Sequence, residues 1–94
     1  MTLKIKFIGA LRHISGKTQL TLPYQADIAI KDVVEQLGLQ IPSLQHTFCN
    51  QELNDARSNS LILVNGKEIG VLDGYDTRLC DGDEVVFVPV VHGG

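Results

Sequence analysis

One stretch of this chain repeats its apolar residues at the spacing of an α-helix. Ile30, Val33, Val34 and Leu37 stand at i, i+3, i+4 and i+7, one stripe of an amphipathic helix, with Lys31, Asp32 and Glu35 on the opposite side. Asp27 offers a carboxylate near the start of this helix, and Gly38 suits a left-handed stop after it. A short helical piece is expected from Pro42 and Ser43 through Leu44, His46, Phe48 and Cys49. With a single main helix, the remaining apolar residues must be buried by strands.

The flanking segments do read with period two. Leu3, Ile5 and Phe7 fall on one face, with Lys4 and Lys6 on the other, as in a half-buried strand. Gly9 ends it, Ala10 to Lys17 reads as a loop, and Thr18 to Pro23 alternates through Leu20 and Leu22 as a returning strand. Asn50 to Asn59 is polar and irregular, an expected exposed loop. Leu61 to Val64 is an unbroken apolar run, as in a strand covered on both faces or by partners. Asn65-Gly66 marks a tight hairpin, Lys67 to Val71 a short return strand, and Asp73-Gly74 and Asp81-Gly82-Asp83 further turns. Glu84 to Pro89 is the last strand. The order strand, strand, helix, strand, short strand, strand buries both apolar patterns most economically as an α+β fold. One main helix crosses a mixed sheet of four or five strands, a ubiquitin-like β-grasp. Residues 1–90 form that domain and residues 91–94 a flexible C-terminal tail.

Ninety-four residues leave room for one domain, and 44% hydrophobic with 20% charged residues is an ordinary globular balance. Eight Lys and Arg against eleven Asp and Glu give a net charge of −3, the wrong sign for a nucleic-acid surface. No apolar run approaches the roughly 20 residues of a membrane span, and Met1 to Phe7 lacks the pattern of an export signal, so a cytoplasmic protein is expected. Cys49 and Cys80 then read as reduced thiols serving as small buried apolar residues. His13, His46 and His92 are far apart and no Cys-x-x-Cys occurs, so a metal site is not expected.

Three motifs invite a chemical reading and fail it. Gly9 with Gly16-Lys17-Thr18 resembles a phosphate-binding loop, but the spacer Ala10 to Ser15 is too long and the segment leads into a strand instead of a helix. Asp81-Gly82-Asp83-Glu84 lacks the spaced oxygen ligands of a calcium loop and reads as a solvated turn. No Ser or Cys has an identifiable His and acid partner. An intrinsic active site is therefore not expected.

The end of the chain is different. Gly93-Gly94 has no Cβ atoms, so it can thread a slot too narrow for side chains and present only the Gly94 carboxylate. A carboxylate becomes an acyl donor once ATP converts it to an acyl-adenylate, from which sulfur or an amine can displace AMP.

Leu11-Arg12 and Gly16 after the first strand, Leu63-Val64-Asn65-Gly66, Leu79-Cys80-Asp81-Gly82-Asp83-Glu84-Val85 and the final Gly93-Gly94 together resemble the MoaD/ThiS family of ubiquitin-like sulfur carriers. The ubiquitin-related and small archaeal modifiers belong with that family. The resemblance implies a carrier acted on by other proteins, not an enzyme. An E1-like enzyme, using ATP and magnesium, would adenylate Gly94, and a sulfurtransferase or cysteine desulfurase system would convert it to a thiocarboxylate. The sulfur would pass to molybdopterin, thiazole or tRNA; in modifier members the activated terminus joins lysines of target proteins. His92 and Gly93 would enter the partner with Gly94. Molybdopterin-synthase members usually carry two prolines before the tail, where Val88-Pro89-Val90-Val91 keeps one, while His92-Gly93-Gly94 resembles the modifier ending. The alternatives are the small subunit of molybdopterin synthase, its tail entering the large subunit, and a non-covalent β-grasp interaction module.

Strand parity adds an expected docking surface. With Leu3, Ile5, Phe7, Val85 and Phe87 toward the helix, Ile8, Val86 and Val88 lie outward, an apolar patch beside the tail.

Overall fold

A computed structural model describes residues 1–25, 27–45 and 60–89. Its framework is the parallel pairing of the first strand, β1 (Thr2–Phe7), with the last, β5 (Glu84–Pro89), in the register Lys4–Glu84 to Phe7–Phe87. β2 (Gln19–Pro23) returns antiparallel along the other side of β1. β3 (Ser60–Val64) lies antiparallel to β5, and the two-residue β4 (Lys67–Glu68) closes a hairpin on β3. The five-stranded order is β2-β1-β5-β3-β4.

The helix stripe covers one face of this sheet. Ile30, Val33 and Leu37 are fully buried against Leu3, Ile5, Phe7, Val85 and Phe87 in one core. The Phe7 and Phe87 rings stack at its centre, 5.9 Å apart and 26° from parallel. Truncating either ring would leave a cavity at the point where the two central strands meet, a change that typically costs about 3–5 kcal/mol. This is the ubiquitin-like β-grasp architecture expected from the periods. Among the described residues no helix is long and apolar enough to cross a membrane.

Several local expectations change. Ala10–Ser15 is not a loop but a short helix, α1. Gly9 at φ 58° turns the chain back from β1, and the Ile8 and Gly9 carbonyls accept from Leu11 and Arg12 N–H. Only Leu11 of α1 is buried, so no apolar stripe announced it. The main helix, α2, runs Ile30–Gln40, through Gly38, which is buried inside it instead of ending it. Its first turn is tied by Asp32, whose Oδ2 accepts from Ala29 N–H at 2.9 Å; Asp27 sits outside with φ 66°. A single 3-10 turn, Pro42–Leu44, follows and buries Leu44. The continuation through His46, Phe48 and Cys49, and the loop Asn50 to Asn59, lie outside the described residues.

Lys67 to Val71 is a strand only over Lys67–Glu68; Ile69–Val71 turns into a 3-10 helix that buries Ile69. Cys80 is exposed, not a buried apolar residue, because it lies outside the strands in the turn leading to β5.

That turn is a bolt, not merely a solvated bend. Asp83 Oδ1 accepts from Asn65 Nδ2 at 3.0 Å, and Oδ2 from Cys80 N–H at 2.8 Å. Asn65 Oδ1 accepts from Glu84 N–H at 3.0 Å. Asp81 Oδ1 accepts from Thr2 N–H, Thr2 C=O from Gly82 N–H, and Asp83 C=O from Lys4 N–H. Three separate segments, the start of β1, the β3–β4 hairpin and the start of β5, are thereby joined. Hydrogen bonds to a charged acceptor contribute more than neutral ones, so Asp83→Ala should lower unfolding free energy by about 1–3 kcal/mol, seen in urea as a lower midpoint with unchanged slope.

Tyr24 lies next to this turn at the end of β2, its N–H donating to Met1 C=O at 3.0 Å. Its hydroxyl is buried without a hydrogen-bond partner among the described residues. Burial first, then the nearby Asp81, Cys80 and Asp83, hold its phenol above the ordinary value. The unfolded chain releases this proton from about pH 10, while the fold retains it. Its contribution is therefore complete below about pH 10 and lost as pH rises further. Thermal melts between about pH 8 and pH 11 should show a steeper alkaline loss for the native chain than for Tyr24→Phe.

Candidate functional site

The sheet face turned away from α2 gathers the residues that strand parity assigned outward. Val86 and Val88 on β5 and Ile8, just past β1, are each half-buried. The register brings Val88 beside Leu61 and Val86 beside Leu63 on β3, with Lys6 on the other side of Val86. Ile8 N–H donates to Phe87 C=O at 3.0 Å, which carries the β1–β5 alignment one residue further and sets Ile8 beside Val88. Two rows result: Ile8, Val88, Leu61, and below it Lys6, Val86, Leu63, with Glu68 opposite Leu63 on β4.

Of the two coverings expected for the run Leu61 to Val64, the chain itself supplies only one face among the described residues, which leaves the other to a partner. Ile62 and Val64 enter the core, Leu61 is 38% exposed and Leu63 half-buried. Leu61 and Leu63 enlarge the expected patch. Period two could have found them, since fixing Ile62 and Val64 inward sends their neighbours out; an all-apolar run hides that alternation.

Charges border the apolar rows. Lys6 Nζ lies 3.1 Å from Glu84 Oε2, with both side chains more than a third exposed, and Lys4 is exposed beside them. Such a pair contributes little to stability, but it frames a central apolar area with a polar rim, the anatomy of a protein–protein contact. Ile8 and Val88 stand at the end of the sheet from which the chain runs on past Pro89. Gly94, Gly93 and His92 lie outside the described residues.

No catalytic constellation accompanies the patch among the described residues. Gly16, at φ 74°, is the left-handed cap that ends α1, and Lys17 N–H donates to Ser15 Oγ at 3.1 Å before the chain enters β2. The triplet Gly16-Lys17-Thr18 thus ends a helix instead of opening one, and its amides do not converge on a phosphate. Among the described residues no three His, Cys, Asp or Glu side chains gather to hold a metal. A wide depression of about 630 Å³ lies near the opposite end of the sheet, lined by residues such as Tyr24, Asp27 and Asp32, where Asp32 is already committed to the start of α2.

Small archaeal modifier protein 3 of Haloferax volcanii is 30% identical over 94 residues, covering all of both chains. Ubiquitin-related modifier 1 of Schizosaccharomyces pombe is 28% identical over 100 residues, again covering all of both. Among solved structures, small archaeal modifier protein 1 from Methanosarcina acetivorans superposes with a TM-score of 0.79 at 30% identity, over 99% of this chain and 96% of that one. The model of the ThiS family matches residues 5–94, which takes in every strand but the start of β1, both helices and the final glycines: the chain belongs to the ThiS family.

Proposed function

We propose that this protein is a ubiquitin-like sulfur carrier and protein modifier whose working group is the Gly94 carboxylate. The observation that carries the reading is the pairing of a Gly-Gly ending with a full-length match to the ThiS family and to two modifier proteins. The apolar sheet face beside the exit of β5 supports it, since a tail that must enter another protein's active site needs a surface to hold that protein.

The chemistry follows from what a carboxylate lacks. Its oxide is a poor leaving group, so acyl transfer waits for activation. A Gly94 carboxylate oxygen attacks the α-phosphorus of ATP and pyrophosphate leaves, giving an acyl-adenylate. The terminal sulfur of an enzyme persulfide then displaces AMP to give an acyl disulfide, which a second thiol cleaves to release the thiocarboxylate and a disulfide; alternatively a lysine amine displaces AMP, loses a proton and leaves an isopeptide bond. ATP and magnesium belong to the E1-like activating enzyme and the sulfur to a sulfurtransferase or cysteine desulfurase. This chain supplies the nucleophilic carboxylate, the two glycines that let it pass a narrow channel, and the docking face.

Gly94 separates this reading from a non-covalent interaction module. Deleting Gly94, or adding one residue after it, should abolish ATP–pyrophosphate exchange with the cognate activating enzyme. Intact mass of the native chain after incubation with ATP, that enzyme and a sulfur donor should show one oxygen replaced by sulfur; conjugates on target lysines would mark the modifier role. A mass unchanged under all these conditions would refute the covalent reading.

The docking face has its own test. Val88→Asp places a charge in the upper apolar row without touching the core, and it should keep the thermal midpoint while lowering kcat/KM for activation about tenfold, chiefly through KM. Unchanged activation kinetics would remove the patch from the interface.

A further inference from the structure

Successive residues of β5 turn their backbone groups alternately toward β3 and β1. Asn65 N–H donates to Glu84 C=O on the β3 side, and Ile8 N–H donates to Phe87 C=O on the β1 side. Two residues beyond Phe87, Pro89 therefore turns its nitrogen toward β1, where the next bond of a parallel ladder would run from residue 89 N–H to Ile8 C=O. Proline has no proton to give. The Ile8 carbonyl instead accepts from Leu11 N–H at 3.2 Å as α1 begins. Toward β3, Pro89 pairs with Ser60 at a position that needs no donor from it, so the proline costs nothing there.

Gly9 completes the arrangement. Its φ of 58° and ψ of −134° bend the chain away from β5, a conformation side-chain-bearing residues avoid. A Cβ at Gly9 would stand 3.2 Å from Pro89 Cγ and 3.7 Å from Cδ. The proline ring fills the space that the missing side chain leaves. The donor for a continuing β1–β5 ladder is thus missing and the space beside it filled at one point, while the acceptor is shared with α1.

We infer that Gly9 and Pro89 form a stop that ends β1 pairing after Phe87 and leaves residue 89 untied on the β1 side, making both positioning residues for the terminal carboxylate. This rests on the proposed activation of Gly94. The five residues 90–94 span at most about 17 Å when extended. A ladder bond at residue 89 would hold none of these five residues, but it would fix the direction in which the chain leaves the sheet, while the docking face would be unaltered.

The test uses the full-length chain carrying Pro89→Ala, which restores the N–H without imposing strain, and Gly9→Ala as a second variant, which crowds the ring. In Pro89→Ala, the new backbone amide at position 89 should be protected from hydrogen exchange, marking a bond to Ile8 C=O. Activation by the cognate enzyme should fall at least about fivefold in kcat, with KM within about twofold of the native value. Gly9→Ala, where it folds, should lower kcat in the same direction. An amide at position 89 that exchanges at the unprotected rate overturns the stop. So does a protected amide with unchanged kcat, or a loss expressed in KM alone. Failure of the native chain to be activated at all would instead sink the proposed function, and the exchange measurement would still decide the stop.

Discussion

The parallel pairing of β1 with β5 is the interaction on which the rest of this structure depends. It joins the first strand to the last, so the intervening chain must leave and re-enter the same sheet. A parallel pair also requires a long crossover, and β2, α2, β3 and β4 are all accommodated within it. Closing so large a loop is entropically costly before any packing repays it. The structure meets that cost at two places: the Phe7–Phe87 stack at the centre of the core, and the Asp81–Asp83 turn, which ties the start of β1 to the start of β5 and both to Asn65. Remove the pairing and α2 has no continuous surface to cover.

Much of this was legible because the central strands obey period two strictly. Leu3, Ile5 and Phe7, and Val85 and Phe87, alternate with residues of opposite exposure, so core and outer face could be assigned from either strand alone. Where the signal failed, a physical reason is visible. α1 contributes one buried residue, Leu11, and a helix of six residues anchored by one side chain has no stripe to read. Gly38 suggested a helix end because glycine commonly caps, but here it lies inside α2, where an added Cβ would stand 3.3 Å from Gln45 Cγ. Leu61 and Leu63 were hidden because both faces of β3 are apolar for different reasons, one for the core and one for the outer patch.

The same division explains how so small a domain could serve the proposed carrier role. A sheet with one face packed on a helix has a second face free for a partner. With Val86 and Val88 alternating with Val85 and Phe87, the strand that completes the core also builds the outer patch and carries the chain toward Gly94. Surface, core and tail are therefore not independent features that happen to be adjacent. They are three consequences of one six-residue strand, Glu84–Pro89.

That economy constrains how the protein can vary. Sliding β5 by one residue would send Val86 and Val88 into the core and Val85 and Phe87 out of it, breaking the aromatic stack and the outer rows together. The bolt at Asp83 opposes such a slip at one end of the strand, where hydrogen bonds are most numerous. At the other end Pro89 strips the β1 side of its donor. Strand β5 is thus tied on both sides where it begins and paired on the β3 side alone at Pro89. A one-residue insertion or deletion between Glu84 and Pro89 cannot lengthen or shorten the tail without inverting the faces of part of the strand. The distance from the docking surface to the carboxylate can be adjusted after Pro89 without changing the register of β5. Core stability and tail reach are therefore separable, and Pro89 is the boundary between them.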